Sequence, residues 1–257
     1  MKKLSALILA LVMIAGCFAG CGQKDNASSG GDSAEKVYTI VSDNAFAPFE
    51  SYDKDTAEYV GIDMDIMAAV AEDQGFKYNM MNVGFDPALA KVQAGQADAV
   101  IAGMTINDKR KEIFDFSEGY FEDGQVMVVA KNSEIKSIDD LKGKVVATKN
   151  GTMGAEYAEA NKEKVGYTTK AFEGSNEQYQ AIINGNCVAC FEDYTVIGDA
   201  IKNGVELKTV GDKINPSEYG FAVKKGQNAE LIEMFNKGLA NIKANGKYDE
   251  ILEKYGL

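Results

Sequence analysis

The chain has 257 residues, a formal net charge of -12, four cysteines, and neither histidine nor tryptophan. Without histidine there is no His-based metal site and no Ser-His or Cys-His catalytic pair, and an acidic chain without basic clusters is unsuited to nucleic acid. Cys17 and Cys21 lie near the start, so Cys187 and Cys190 are too few for a disulfide framework.

Taken in chain order, Lys2 and Lys3 precede an uncharged apolar run from Leu4 to Ala15, followed by Ile14-Ala15-Gly16-Cys17. The pattern predicts a secretory signal over residues 1–16, too short for a stable membrane span. Small residues just before a cysteine resemble a lipobox, which makes Cys17 the expected lipidation site and Cys21 the alternative. Residues 17–36 are rich in Gly, Ser, Asn and Asp and are expected to form a flexible tether.

Val37 to Ser42 alternates as a strand does, and Asp43 to Glu58 reads as a loop. Gly61 to Gln74 has helical spacing of Ile62, Ile66, Met67 and Val70, with Gly75 as its stop. Phe76 to Val83 is strand-like, Pro87 to Gln93 a short helix, and Ala97 to Ala102 another strand. A second series begins with the apolar run Gly124 to Lys131. It continues with strands at Val145 to Thr148, Thr168 to Phe172 and Val188 to Phe191, and with helices at Gly154 to Asn161, Glu177 to Asn184 and Tyr194 to Lys202. The strand at Val188 to Phe191 would point Cys187 and Cys190 to opposite faces, as small buried residues or a strained local disulfide. Tyr219 to Lys224 is a strand, and helices at Ala229 to Ala244 and Tyr248 to Tyr255 end the chain.

Strands alternating with helices imply α/β architecture with a central mostly parallel sheet in each of two lobes. Crossing segments are expected near Tyr120 to Gln125 and Ser217 to Phe221, so that residues 37–122 and 219–257 form lobe 1 and residues 123–218 form lobe 2. The cleft between lobes is the default site.

Five segments beyond strand ends converge in type: Asp43 to Glu50, Gly61 to Asp65, Ala102 to Arg110, Lys149 to Thr152, and Glu192-Asp193. Within them Gly103 permits close approach to the backbone, Thr105 offers a hydroxyl and an N–H, and Arg110 presents a planar fork to a carboxylate. Asp63 and Asp65 read as solvated or dipole-favoured residues of a helix first turn, and Asp193 can also serve as a helix N-cap.

Together these segments resemble the polar amino acid family of extracellular solute-binding proteins, the receptors of ABC importers, and the likeness runs from the lipobox to the segment from Asn245 to Ile251. It implies a two-lobed periplasmic-binding-protein-like type 2 fold. It also implies that Arg110 and the Thr105 N–H grip the ligand carboxylate, completed by the N–H groups of Thr152 and Met153. Asp193 would pair with the ammonium, helped by the Ala102 or Gly103 carbonyl and the Thr105 hydroxyl, and Phe46 and Phe85 would sandwich the aliphatic part. In members that take glutamine, an aspartate and a lysine at the positions of Asp43 and Lys149 hold the side-chain amide. A pocket lysine should repel cationic ligands by about 1 to 3 kcal/mol. Glu192 departs from glutamine receptors, which can carry histidine there, and could neutralise Lys149. Met153 departs as well, but should spare its backbone N–H.

The resemblance therefore implies a monomeric, lipid-anchored extracytoplasmic receptor at a bacterial cell membrane. It would capture a polar L-amino acid, glutamine first, and pass it to a permease and its ATPase, with no cofactor, metal or catalytic residue. The alternatives are a binder of cationic or other polar amino acids, a sensing domain of a larger receptor, and a dehydratase-like enzyme on the same scaffold. The enzyme would have only Glu192 and Asp193 as an acid/base pair.

Overall fold

A computed structural model describes residues 36–257. The signal, the lipidation candidates Cys17 and Cys21, and nearly all of the tether lie outside these residues.

The strand β1 (Val37–Ser42) leads into a small antiparallel sheet of β2 (Ala45–Phe46), β3 (Glu50–Asp53) and β4 (Glu58–Val60), then α1 (Ile62–Gln74). There follow β5 (Lys77–Asn82), α2 (Phe85–Gln93), β6 (Ala99–Val100), α3 (Asp108–Lys111), β7 (Phe114–Phe116) and the long β8 (Phe121–Ala130). After a short 3-10 turn come β9 (Val145–Lys149), α4 (Met153–Val165), β10 (Thr168–Phe172), α5 (Ser175–Ile183), β11 (Ala189–Asp193) and α6 (Tyr194–Lys202). The chain returns along β12 (Leu207–Tyr219) to β13 (Ala222–Lys224), α7 (Ala229–Ala244) and α8 (Lys247–Lys254).

Two five-stranded sheets result, ordered β5-β1-β6-β13-β7 and β10-β9-β11-β8-β12. Each has a parallel core, β5-β1-β6 or β10-β9-β11, because helical crossovers link those strands. The remaining pairings are antiparallel, since β13 and the β8/β12 pair are laid down where the chain turns back. Four of the five strands in each sheet still run the same way, with only β13 or β8 reversed. Each sheet is flanked by helices, which gives two lobes, each with an apolar core, and Val196 of α6 reaches into the core of lobe 1.

The lobes are joined where β8 and β12 run side by side. Phe121 pairs with Tyr219, Glu122 with Glu218 and Asp123 with Ser217. In lobe 1, Ile62, Ile66, Met67 and Val70 of α1 are wholly buried against the sheet and against Leu231, Phe235 and Leu239 of α7. Left-handed Gly75 and Gly166 stop α1 and α4, each donating its N–H back to a carbonyl four residues earlier.

The loop expected over Asp43 to Glu58 contains the small β2-β3-β4 sheet. The two cysteines do not face opposite ways. The strand begins at Ala189, so Cys187 lies before it, and both thiols are free and buried in one apolar cluster with Tyr179 and Ile182 of α5.

Candidate ligand-binding site

The segments singled out in the sequence meet between the lobes. Lobe 1 brings Asp43 from the end of β1, Phe46 from β2, Phe85 from the start of α2, and the turn Ala102 to Thr105 after β6. Lobe 2 brings Lys149 from the end of β9, Thr152 and Met153 from the start of α4, and Asp193 from the end of β11. Eleven of the twelve candidate residues line one small cavity. Glu192 is the exception and stands behind the wall, fully buried.

Local geometry explains each placement. Gly103 has φ +52, and a Cβ there would come within 2.4 Å of the Phe46 ring, so this turn admits only glycine. The Asn107 side chain accepts the Arg110 N–H at 2.8 Å and starts α3, which aims the Arg110 side chain inward. The buried guanidinium donates to the Thr105 carbonyl at 2.7 Å and, across the cleft, to the Gly151 carbonyl at 3.0 Å. It lies 5.4 Å from the Phe85 ring centre.

On the facing lobe, Lys149 Nζ meets Asp43 Oδ2 at 2.5 Å, with both side chains 2% exposed. The ammonium also lies 4.7 Å from the Phe46 ring centre. Burial works to lower the Lys149 pKa, but Asp43 and then Glu192 outweigh it and the net shift is upward. Thr152 caps α4, its hydroxyl accepting the Ala155 N–H at 3.2 Å, so a 13-residue helix points its N-terminus into the cavity. Phe46 and Phe85, each 5% exposed, serve as core and cavity wall at once.

Asp193 occupies the N-cap position of α6 but does not cap it. Asp123 of β8 does so instead, accepting the Thr195 N–H at 2.9 Å, while Gln125 Nε2 donates to Asp193 Oδ1 at 2.6 Å. Burial, and then the charge of Glu192, push the Asp193 carboxyl up to about 7. Glu192 itself accepts from Tyr179 Oη at 3.0 Å, the Asp193 N–H at 3.2 Å and Gln178 Nε2 at 3.3 Å. Burial raises its pKa while Lys149 pulls it back.

Several supporting residues were not singled out from sequence. Gln125, Asp123 and Ser175, whose hydroxyl accepts from Lys149 Nζ at 3.4 Å, act through tertiary contacts that no local motif announces. Asp63 is not a solvated first-turn residue: it is fully buried and accepts the Gly103 N–H at 2.7 Å and the Tyr120 hydroxyl at 2.9 Å. Asp65 remains nearer the surface, in contact with Lys254 at 2.6 Å. No group of histidine, cysteine or acidic residues among the described residues could hold a metal ion.

A guanidinium fork and a helix N-terminus suit a carboxylate, a buried Asp suits an ammonium, and flanking rings suit a short aliphatic stem. Comparison with known proteins agrees with that chemistry. The sequence profile of the bacterial extracellular solute-binding proteins, family 3, matches residues 38–257. A relative from Neisseria gonorrhoeae, named as a probable histidine-binding protein, is 34% identical over 99% of this chain and 96% of its own length. The ABC transporter glutamine-binding protein of Bacillus subtilis is 32% identical over 99% and 97%. A solved ancestral arginine-binding protein with bound arginine superposes with a TM-score of 0.80 at 36% identity, covering 86% of this chain and 98% of that one. The family is one of solute-binding proteins, and each of these relatives is named as a binding protein, the Bacillus subtilis one as part of an ABC transporter. With a profile match over almost all of the described residues and a cavity of matching chemistry, the chain belongs to the bacterial extracellular solute-binding proteins of family 3.

Proposed function

We propose that the protein captures a free polar L-amino acid, glutamine first, by closing its two lobes around the zwitterion and presenting the closed form to a membrane permease. The observation that carries this reading is the joint placement of Arg110 and Asp193, from opposite lobes, on one cavity wall. Each pole of the ligand then meets groups from both lobes, so binding favours closure. The Asp43–Lys149 pair offers one acceptor and one donor to a side-chain amide, and a relative named for glutamine supports the choice.

A second reading is a cationic side chain. Lys149 is already neutralised by Asp43 at 2.5 Å and faces Glu192, which weakens its repulsion of a positive ligand. A relative named for histidine and an ancestral protein with bound arginine favour this reading.

A calorimetric screen of the twenty amino acids decides between them. Tightest binding of glutamine supports the first, and tightest binding of arginine, lysine or histidine the second. Arg110→Ala should weaken the best ligand by at least about thirtyfold, because truncating one partner of a buried charge pair costs about 2 to 5 kcal/mol. Undiminished affinity in that variant refutes the carboxylate assignment. A lipid anchor at Cys17 completes the reading: Cys17→Ser should release the protein from membranes, whereas Cys21→Ser should not.

A further inference from the structure

Beneath the cavity floor lie two carboxyl groups that the ligand chemistry does not use. Asp63, in the first turn of α1, and Glu50, at the start of β3, are both wholly buried. They are brought together because the first N–H groups of α1 are satisfied by loop backbone instead of a side-chain cap: Ile62 donates to the Pro48 carbonyl at 2.9 Å and Asp63 to the Phe49 carbonyl at 3.0 Å. Gly61 makes this possible, since a Cβ there would lie 2.0 Å from the Phe49 oxygen.

Oδ2 of Asp63 has two donors, the Gly103 N–H and the Tyr120 hydroxyl. Its Oδ1 and both oxygens of Glu50 have none among the described residues. Yet the two carboxyl groups are within hydrogen-bonding reach of one another. Two ionised carboxylates cannot share such a site, and a buried acceptor without a donor is destabilising. One proton between them resolves both difficulties.

We propose that Glu50 stands in the folded protein as an uncharged acid donating to Asp63 Oδ1, and that the pair are positioning residues for the Gly103 turn at the ligand's ammonium end. The role rests on the amino acid reading above, whereas the proton does not. With that one proton Asp63 is a carboxylate with three donors, fixed on Gly103 and on Tyr120 at the entrance to the lobe crossing. The groups facing Glu50 are Asp63 of α1, Asp43 at the end of β1, and Lys149 of β9. Those facing Asp63 are the Gly103 N–H, Tyr120 and Glu50. Burial and the neighbouring carboxylates push Glu50 well above the usual range, whereas burial, opposed by its donors, takes Asp63 to about 7. The pair thus loses its first proton near neutrality and keeps the second above it.

Infrared spectroscopy of the full chain at pH 8 tests the proton without any ligand. Wild type should show the carbonyl stretch of a protonated carboxylic acid, and E50Q should lack it. A spectrum with no such band, or a band that persists in E50Q, overturns the proposal. Calorimetry with the best amino acid tests the role. E50A, which leaves Asp63 without its third donor, should bind at least about tenfold more weakly, and E50Q, whose amide still donates, should recover affinity to within about threefold of wild type. E50A binding as tightly as wild type, or E50Q as weakened as E50A, overturns the role. Failure of wild type to bind any free amino acid would instead overturn the amino acid reading and leave the infrared result to decide the proton.

Discussion

Asp193 carries the most pH-sensitive charge on the cavity wall. Burial and Glu192 push it up to about 7, and an ammonium ligand needs it ionised. Below that value each binding event must first remove a proton, so affinity should fall by about tenfold per pH unit between pH 7 and 5.5. Asp63 also lies at about 7, so the part of the slope that belongs to Asp193 is the part lost in an Asp193 variant. Calorimetry across that range checks it, with Asp193→Asn expected to bind weakly and with a shallower pH dependence than wild type. For stability the sign is opposite. A carboxyl raised on folding holds its proton longer in the native state, so its contribution is complete below about pH 4 and declines as pH rises to about 7. Lys149 governs side-chain choice. Lys149→Met should lower glutamine affinity and shift the glutamine-to-arginine preference toward arginine by about tenfold or more, since the repelling charge is gone. Competition calorimetry reads that ratio, and an unchanged ratio rejects the role.

At the scale of elements, the approach of α4 to β11 sets the anion end of the cavity. A Cβ on Gly154 would lie 2.0 Å from the Phe191 carbonyl oxygen, a backbone atom that cannot swing aside. Gly154→Ala should therefore push the start of α4 away, costing about 1 to 3 kcal/mol in thermal denaturation and weakening ligand binding through Thr152 and Met153. Unchanged melting and affinity would show that the helix tolerates the shift. Elements with strong periodicity were legible in the sequence: β1, β10, α6 and α7 lie where alternation or helical spacing put them. β12 was not, because its half-buried Lys208 and exposed Asp212 and Lys213 read as a polar connection and its pairing with β8 is a long-range fact. The β2-β3-β4 sheet was hidden in the same way by turn residues. Within the site, residues at strand ends and helix starts were legible because their chemistry is local. Asp63 and Gln125 were not, since burial and partners come from distant segments.

For the whole molecule, the two lobes touch directly across the cleft. Besides Asp43–Lys149 and Arg110–Gly151, the exposed Lys109–Glu156 pair spans the cleft at 2.8 Å. Exposed pairs of this kind contribute about 0 to 1 kcal/mol, so Lys109→Ala should change affinity by less than about fivefold. Small-angle scattering should show contraction when amino acid is added to wild type and none in Arg110→Ala. Contraction in both would mean that Arg110 is not the group through which ligand closes the cleft. Among the described residues no helix is long and apolar enough to cross a membrane, and the family is extracellular.

Phe121 and Tyr219 are register partners, so everything between them leaves lobe 1 and re-enters it at one place. In genealogical terms the intervening stretch is a cassette. Exchanging residues 122–218 for a relative's counterpart would carry Lys149, Thr152, Glu192 and Asp193 across together, leaving Asp43, Phe46 and Arg110 untouched. Ligand preference is thereby divided between two heritable halves, each free to drift while the other holds its end of the same small molecule.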